Sequence, residues 1–280
     1  MSDGIWQLES EGTEADIFAA AESLGFLEIS DALSLSIFET PTGSRLEAGY
    51  ASEAEALTAA ATLSVSAVIR HLPPHDWVSE VQADLAPVHA GRFTLHGSHD
   101  RNRAKGAVLI EVEAGPAFGS GHHPTTRGCL EVFSQLLDEG IAPATVLDVG
   151  CGTGVLAIAA ALTLKTHVTA TDIDPDAVRV TEETAHLNAA KLTTFQADGM
   201  DDARLAGPYA LIFANILAGP LKTLAAPIEK AAQGDGLIIL SGLLDEQADA
   251  VSAAYTATGL RELRCHPLDG WTTLLLQKPA

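Results

Sequence analysis

From residue 145 onward, apolar and polar positions fall into two kinds of block that take turns along the chain. Short apolar runs at 145–149, 167–171, 193–197, 210–214 and 237–241 read as buried strands. The stretches 155–164, 175–190, 221–232 and 246–258 read as the helices between them. Regular alternation of this kind predicts an α/β fold with a doubly wound, mostly parallel sheet, whose ligand sits at the C-terminal ends of the strands. After the last helix, 260–266 and 271–277 read as two further strands joined at Leu268-Asp269-Gly270. They predict an antiparallel terminal hairpin, which fits a simple dehydrogenase sheet less well.

The first 70 residues carry a different pattern. A strand at 5–8 is followed by a helix at 14–24, with Ile17, Phe18, Ala21 and Leu24 at helical spacing. The run 33–39 alternates, Pro41-Thr42-Gly43 turns, and 45–50 returns as a hairpin partner. A helix at 53–64 and an apolar stretch at 65–69 complete the order β-α-β-β-α-β, which predicts a small ferredoxin-like α+β domain. Residues 71–105, with Pro73-Pro74, Pro87 and several glycines, read as a linker with a short helix near 77–85. The expected division is therefore 1–70, a small domain; 71–105, a linker; and 106–280, the parallel-sheet domain. His96-Gly97-Ser98-His99 lacks further ligands at metal-site spacing and reads as solvated loop histidines, so no metal is expected.

Composition narrows the setting. With 47% hydrophobic residues in 280, the chain has material for a substantial core. The N-terminus lacks the basic flank and apolar segment of a signal peptide, and no apolar run reaches the ~20 residues of a membrane span. Cys129, Cys151 and Cys265 lie far apart with no metal or redox spacing, as expected of reduced thiols in a soluble cytoplasmic protein. Acidic residues outnumber basic ones 37 to 16, for a formal charge of −21. That balance argues against direct nucleic-acid binding, which draws its affinity from Lys and Arg, and fits equally a basic protein as partner or acidity that simply maintains solubility.

The candidate chemistry begins where the first parallel strand ends. Gly150, Gly152 and Gly154 in Val149-Gly150-Cys151-Gly152-Thr153-Gly154 let the backbone turn tightly and approach a ligand without side-chain obstruction. Their Gly-x-Gly-x-Gly spacing differs from the Gly-x-Gly-x-x-Gly that cradles a pyrophosphate, and suits a loop passing the methionine portion of S-adenosylmethionine. Asp172 ends the second strand 22 residues after Gly150, close to the ~20 expected of an acid that reads ribose hydroxyls. Asp174, just before Pro175, can cap the next helix. Asp198, closing the third strand, is the candidate for the adenine amine. Asn215, in Ala214-Asn215-Ile216-Leu217-Ala218-Gly219-Pro220 at the end of the fourth strand, occupies the place where amine methyltransferases hold a polar loop against the acceptor nitrogen. Upstream, a Gly-rich loop with Phe118 and Gly119 leads to Thr126 in the first turn of a helix, from which it can bond the cofactor.

Three stretches, AFGSGHHPTTRGCLE, LDVGCGTGVLAIAA with TDIDPDAV, and ANILAGPL with the later LSGLL, resemble the methyltransferases of large-subunit ribosomal protein eleven, the PrmA family. The resemblance spans about 76–280 and departs from the family pattern at His122 and at Glu113-Ala114. It implies a Rossmann-like class I methyltransferase fold, S-adenosylmethionine as cofactor, and a monomer. It further implies transfer of several methyl groups to lysine side-chain and N-terminal amines of a basic ribosomal protein, gripped by the small N-terminal domain. Carried over by position, the cofactor contacts fall on Thr126, Gly150, Asp172 and Asn215. Asn215 also suits catalysis, because its amide oxygen can accept a hydrogen bond from the amine, whereas His122 reads as a lid histidine exposed to solvent rather than as a proton shuttle. Three other readings stay open: a methyltransferase for a lysine of another protein or for a small amine, a nicotinamide dehydrogenase, and a catalytically silent binding protein.

Overall fold

The computed structural model describes residues 5–24, 32–40, 43–72, 86–113 and 123–280. The chain divides into two units, Met1–Trp77 and Val78–Ala280. The first unit contains, in order, β1 (Ile5–Gly12), α1 (Glu14–Ser23), β2 (Ser34–Thr40), β3 (Gly43–Tyr50), α2 (Glu53–Thr62) and β4 (Ala67–Leu72). Its four strands form one antiparallel sheet in the order β2-β3-β1-β4. Side chains of directly paired residues share a face, and the pairs Leu8↔Ala48 and Ser10↔Leu46 place the buried positions together. Ile17, Ala20 and Ala21 from α1 and Ala56 from α2 pack on that face. A capping box starts α2: Glu55 N–H donates to Ser52 Oγ at 3.3 Å, and Ser52 N–H donates to Glu55 Oε2 at 3.0 Å. The opposite face, with Gln7, Glu9, Arg45, Glu47 and Arg70, is polar and laced by side-chain pairs such as Gln7–Glu47 and Arg45–Glu47.

The second unit opens with β5 (Val88–Ala90), β6 (Phe93–His96) and β7 (Val108–Glu111), a small sheet in the order β5-β6-β7. Residues 88–96 lie within the stretch expected as linker, and here the structure differs from the sequence reading. Phe93 is fully buried and stacks on Phe133 with ring centroids 5.7 Å apart, while Phe133 meets Phe213 edge-on at 5.4 Å. Burial of Leu95 and Ile110 completes the attachment. The strands were missed because they are three or four residues long and set among turn-forming residues, too short for a period to register. The helix expected near 77–85 lies outside the described residues.

The remaining elements are α3 (Pro124–Asp138), β8 (Thr145–Val149), α4 (Val155–Leu164), β9 (His167–Asp172), α5 (Pro175–Leu187), β10 (Thr193–Gln196), β11 (Tyr209–Asn215), α6 (Ala218–Thr223), α7 (Ala225–Ala231), β12 (Ala232–Leu244), α8 (Ala248–Thr256), β13 (Arg261–Leu268) and β14 (Trp271–Gln277). They build a seven-stranded sheet in the order β10-β9-β8-β11-β12-β14-β13. The strands from β10 to β12 run parallel, and β14 lies antiparallel between β12 and β13. This is the class I methyltransferase sheet, with the terminal hairpin inserted as the sequence predicts. Its central strands are buried on both faces, which is why β11 and β12 read as nearly continuous apolar runs. The single helix expected at 221–232 is two short ones, because Pro227 has no N–H and would crowd the carbonyl of Thr223 in a continuous helix. Among the described residues no helix is long and apolar enough to cross a membrane.

Helix α3 packs tightly onto the hairpin. A Cβ at Gly128 would stand 2.5 Å from Thr273 Oγ1, a buried hydroxyl paired with Ser241 Oγ at 3.0 Å. Gly128→Val is therefore expected to destabilise the fold by about 2–3 kcal/mol through overpacking. Gly219→Ala, where an added Cβ meets nothing within 4 Å, should change stability by less than about 1 kcal/mol. Urea denaturation of both variants checks the pair.

Candidate functional site

A cavity of about 910 Å³ opens where β8, β9, β10, β11 and β12 end, at the position a doubly wound sheet reserves for its ligand. Its glycine-rich wall is the turn from β8 into α4. Gly150, Gly152 and Gly154 all adopt left-handed backbone, with φ of 72°, 55° and 79°. Any other residue would be strained there, and a Cβ at Gly150 would also strike Ile216 Cγ2 at 2.3 Å. The turn is tied to the neighbouring strand: Gly150 N–H and Cys151 N–H both donate to the Thr171 carbonyl, at 2.8 and 3.0 Å.

Asp172 holds the next part of the wall. Its Oδ2 accepts from Gly152 N–H and its Oδ1 from Asp174 N–H, each at 3.0 Å, so the carboxylate is oriented by two backbone donors. Each oxygen retains acceptor capacity toward the cavity that Asp172 lines. Asp174 caps α5 by accepting from Asp176 N–H at 2.8 Å, as its place before Pro175 predicts. Asp198 lines the same end of the cavity beside Ala197 and Gly199.

Asn215 and Thr126, 89 residues apart in sequence, meet at the opposite end. Asn215 Nδ2 donates to Thr126 Oγ1 at 3.3 Å, from the end of β11 to the first turn of α3. That bond fixes the amide orientation and leaves Asn215 Oδ1 buried with no hydrogen-bond partner. A buried acceptor in this state costs about 1–3 kcal/mol unless a ligand satisfies it. The structure thus gathers Thr126, Gly150, Gly152, Asp172, Asp198 and Asn215 around one cavity. Phe118, Gly119 and His122 lie outside the described residues.

Two lining residues escaped the sequence reading. His123 caps α3, pairing with Thr125 Oγ1 through Nδ1 at 2.8 Å, and its ring meets Trp271 edge-on with centroids 4.6 Å apart. Burial lowers the pKa of the imidazole and favours its neutral form. Trp271 comes from the start of β14, and no spacing rule links it to the glycine turn. Asp148 lies fully buried beneath that turn, with Oδ2 accepting from Ala157 N–H at 3.1 Å and Oδ1 unpartnered. Burial, and next to it the nearby Asp172 charge, raises its pKa from 3.8 to about 7. A carboxyl with a raised folded-state pKa stabilises the fold below its unfolded value and loses that contribution as pH rises through the folded one. The stability of the native protein relative to Asp148→Asn should accordingly fall by about 1.4 kcal/mol per pH unit between pH 4 and 7. Urea titrations across that range test the slope, and parallel curves for the two proteins would contradict it.

Residues 28–279 match the family model of ribosomal protein L11 methyltransferase (PrmA). A ribosomal protein L11 methyltransferase from Caulobacter sp. (strain K31) is 38% identical over 98% of both chains. One from Bradyrhizobium diazoefficiens is 50% identical over 72% of this chain and 70% of its own. Among solved structures, ribosomal protein L11 methylase from Lactobacillus delbrueckii subsp. bulgaricus superimposes with a TM-score of 0.62 at 26% identity, over 70% of this chain and 100% of its own. A methyltransferase from Pyrococcus furiosus shares the fold at a TM-score of 0.50 and 15% identity, over 61% of this chain and 90% of its own. The sequence motifs, the sheet order and these matches agree: the chain belongs to the ribosomal protein L11 methyltransferase (PrmA) family.

Proposed function

We propose that this protein transfers methyl groups from S-adenosylmethionine to lysine side-chain and N-terminal amines of ribosomal protein L11. The observation that carries this reading is the buried, unpartnered Oδ1 of Asn215, a residue that lines the same cavity as an oriented carboxylate and a glycine turn. The residues present fit the cofactor. Asp172 supplies acceptors for two ribose hydroxyls, Gly150 and Gly152 allow close passage of the methionine portion, and Asp198 can accept from the adenine amine. Thr126 would complete the binding set, with Phe118 and Gly119 assigned to it by family resemblance. When bound, S-adenosylmethionine supplies an electrophilic methyl on a sulfonium that departs as a neutral thioether.

The chain must then deliver a neutral amine, because lysine, with a pKa near ~10.4, is protonated in water at pH 7. Apolar lining residues such as Ile216, Leu217 and Pro220 disfavour the ammonium through desolvation. Asn215 Oδ1 accepts from the remaining N–H and turns the nitrogen lone pair toward the methyl donor, while its Nδ2 stays committed to Thr126. A carboxylate at this position would favour the unreactive ammonium. Alignment of this kind is the main service an enzyme performs for a reaction with so good a leaving group.

The formal charge of −21 suits a basic ribosomal protein as partner in the cytoplasm. The β-α-β-β-α-β order and the β2-β3-β1-β4 sheet support a ferredoxin-like reading of residues 1–70 as the substrate-gripping domain, with the cofactor-binding unit taking in β5 and β6 as well as the large sheet.

Asn215→Ala should lower kcat on purified L11 about 100-fold while moving the cofactor Kd less than about threefold, and Asn215→Asp should be worse still at pH 7. Equal losses in kcat and cofactor affinity would place Asn215 with the cofactor instead. Asp172→Ala should weaken the cofactor Kd by about 10–100-fold, as expected for loss of charge-assisted hydrogen bonds. Calorimetry with S-adenosylmethionine, alongside initial rates on L11, reads all three variants.

A further inference from the structure

Three helical threonines of the second unit share one habit. Thr163, Thr184 and Thr256 each donate from Oγ1 to the carbonyl four residues back, at 2.7, 2.8 and 2.9 Å, the acceptor nearest to a hydroxyl on a helix. Thr181, one turn before Thr184 on α5, departs from it. Its side chain is fully buried, and its hydroxyl reaches off the helix to donate to the Gly152 carbonyl at 2.9 Å.

Cys151 Sγ lies 3.1 Å from the same hydroxyl oxygen. A threonine hydroxyl has a single proton. With that proton committed to the Gly152 carbonyl, the thiol is the donor in the second contact. The result is a directed chain, from Cys151 S–H to Thr181 O–H to Gly152 C=O. Burial above all holds the Cys151 thiol above its ordinary pKa, so the proton stays on sulfur. The Thr181 methyl group meets the same turn further on, since a Cβ at Gly154 would stand 2.7 Å from Thr181 Cγ2. One side chain of α5 therefore braces Cys151, Gly152 and Gly154.

A turn this rich in glycine needs such a brace, because glycine gives up the most conformational freedom when it is ordered. The hold from β9 falls on N–H groups: the Thr171 carbonyl takes those of Gly150 and Cys151, and the Asp172 carboxylate takes that of Gly152. Gly152 is thus fixed at both of its polar groups, the N–H by Asp172 and the carbonyl by Thr181. The two ties also join through α5. Asp174, which caps that helix, donates its own N–H to Asp172 Oδ1 at 3.0 Å, and Thr181 lies seven residues on, along the same face. Asp172, Gly152, Thr181 and Asp174 close a ring around the cavity's glycine wall.

We propose that Thr181 is a positioning residue of the cofactor site, ordering the glycine turn before any ligand arrives in the form that binds S-adenosylmethionine. The proposal rests on the cofactor reading put forward above, and its effect is on affinity, since a turn already ordered spares the ligand the cost of ordering it. Two pairs of proteins isolate the hydroxyl. Thr181→Val keeps the shape of the native side chain without the O–H; Thr181→Ser and Thr181→Ala both lack the methyl group and differ in the O–H. Calorimetric titration with S-adenosylmethionine gives each Kd, and urea unfolding gives the stability of the same preparations. Kd should rise about tenfold from native to Thr181→Val and about tenfold from Thr181→Ser to Thr181→Ala, with Thr181→Ser within about threefold of native. A brace that served stability alone would lower the urea midpoint and leave the Kd of the folded protein unmoved. An unmoved Kd within either pair overturns the proposal, and if Thr181→Val does not fold, the Ser and Ala variants decide it alone. Native protein that fails to bind S-adenosylmethionine overturns the cofactor reading itself, whereas native binding with unmoved variants overturns only the role of Thr181.

Discussion

The chain leaves β8 at Val149 and enters α4 at Val155 through a turn that takes left-handed backbone at three glycines. The carbonyl of Thr171 anchors the start of that turn, and Asp172 holds its middle through Gly152 N–H. Strand β9 thereby fixes the turn and the turn fixes the direction of the Asp172 carboxylate, so neither is positioned without the other. Thr181 adds a third tie, donating from α5 to the Gly152 carbonyl at 2.9 Å. The space at Gly150 is filled by Ile216, which couples the glycine turn to the Asn215 loop on the far side of β8. The two ends of the cavity are consequently built on one packed unit.

Much of this was legible in the sequence, for physical reasons. Strands buried on both faces must be apolar throughout, so β8, β11 and β12 stand out as short hydrophobic runs. A tight turn against a ligand must be glycine, and a helix-capping acid before proline is a local signal, so Gly150, Gly152 and Asp174 could be placed by spacing alone. Tertiary convergence left no such trace. The sheet β5-β6-β7 is anchored by stacking of Phe93 on Phe133, a contact between segments 40 residues apart with no shared period. Trp271 reaches the cavity because β14 is inserted beside β12, and His123 because it caps α3. Neither position is marked by composition. The break between α6 and α7 was visible as Pro227 but was read through, since the apolar spacing on either side resembles one helix.

The electrostatic pattern divides the labour within the site. Acids at the ends of β9 and β10 suit neutral hydroxyl and amine donors of a nucleoside. On the function proposed above, a neutral amide at the other end suits an amine that must lose its proton to react. A carboxylate at that end would hold the ammonium too well. Asp148 shows the cost of placing an acid beneath such a turn: buried among apolar strands, it keeps its proton to about pH 7.

The most direct measurement is methyl transfer from radiolabelled S-adenosylmethionine into purified ribosomal proteins presented together, followed by peptide mapping of the labelled chain. The account predicts label in L11 alone, on lysine side-chain and N-terminal amines. Label on another protein, or on side chains other than amines, would contradict it.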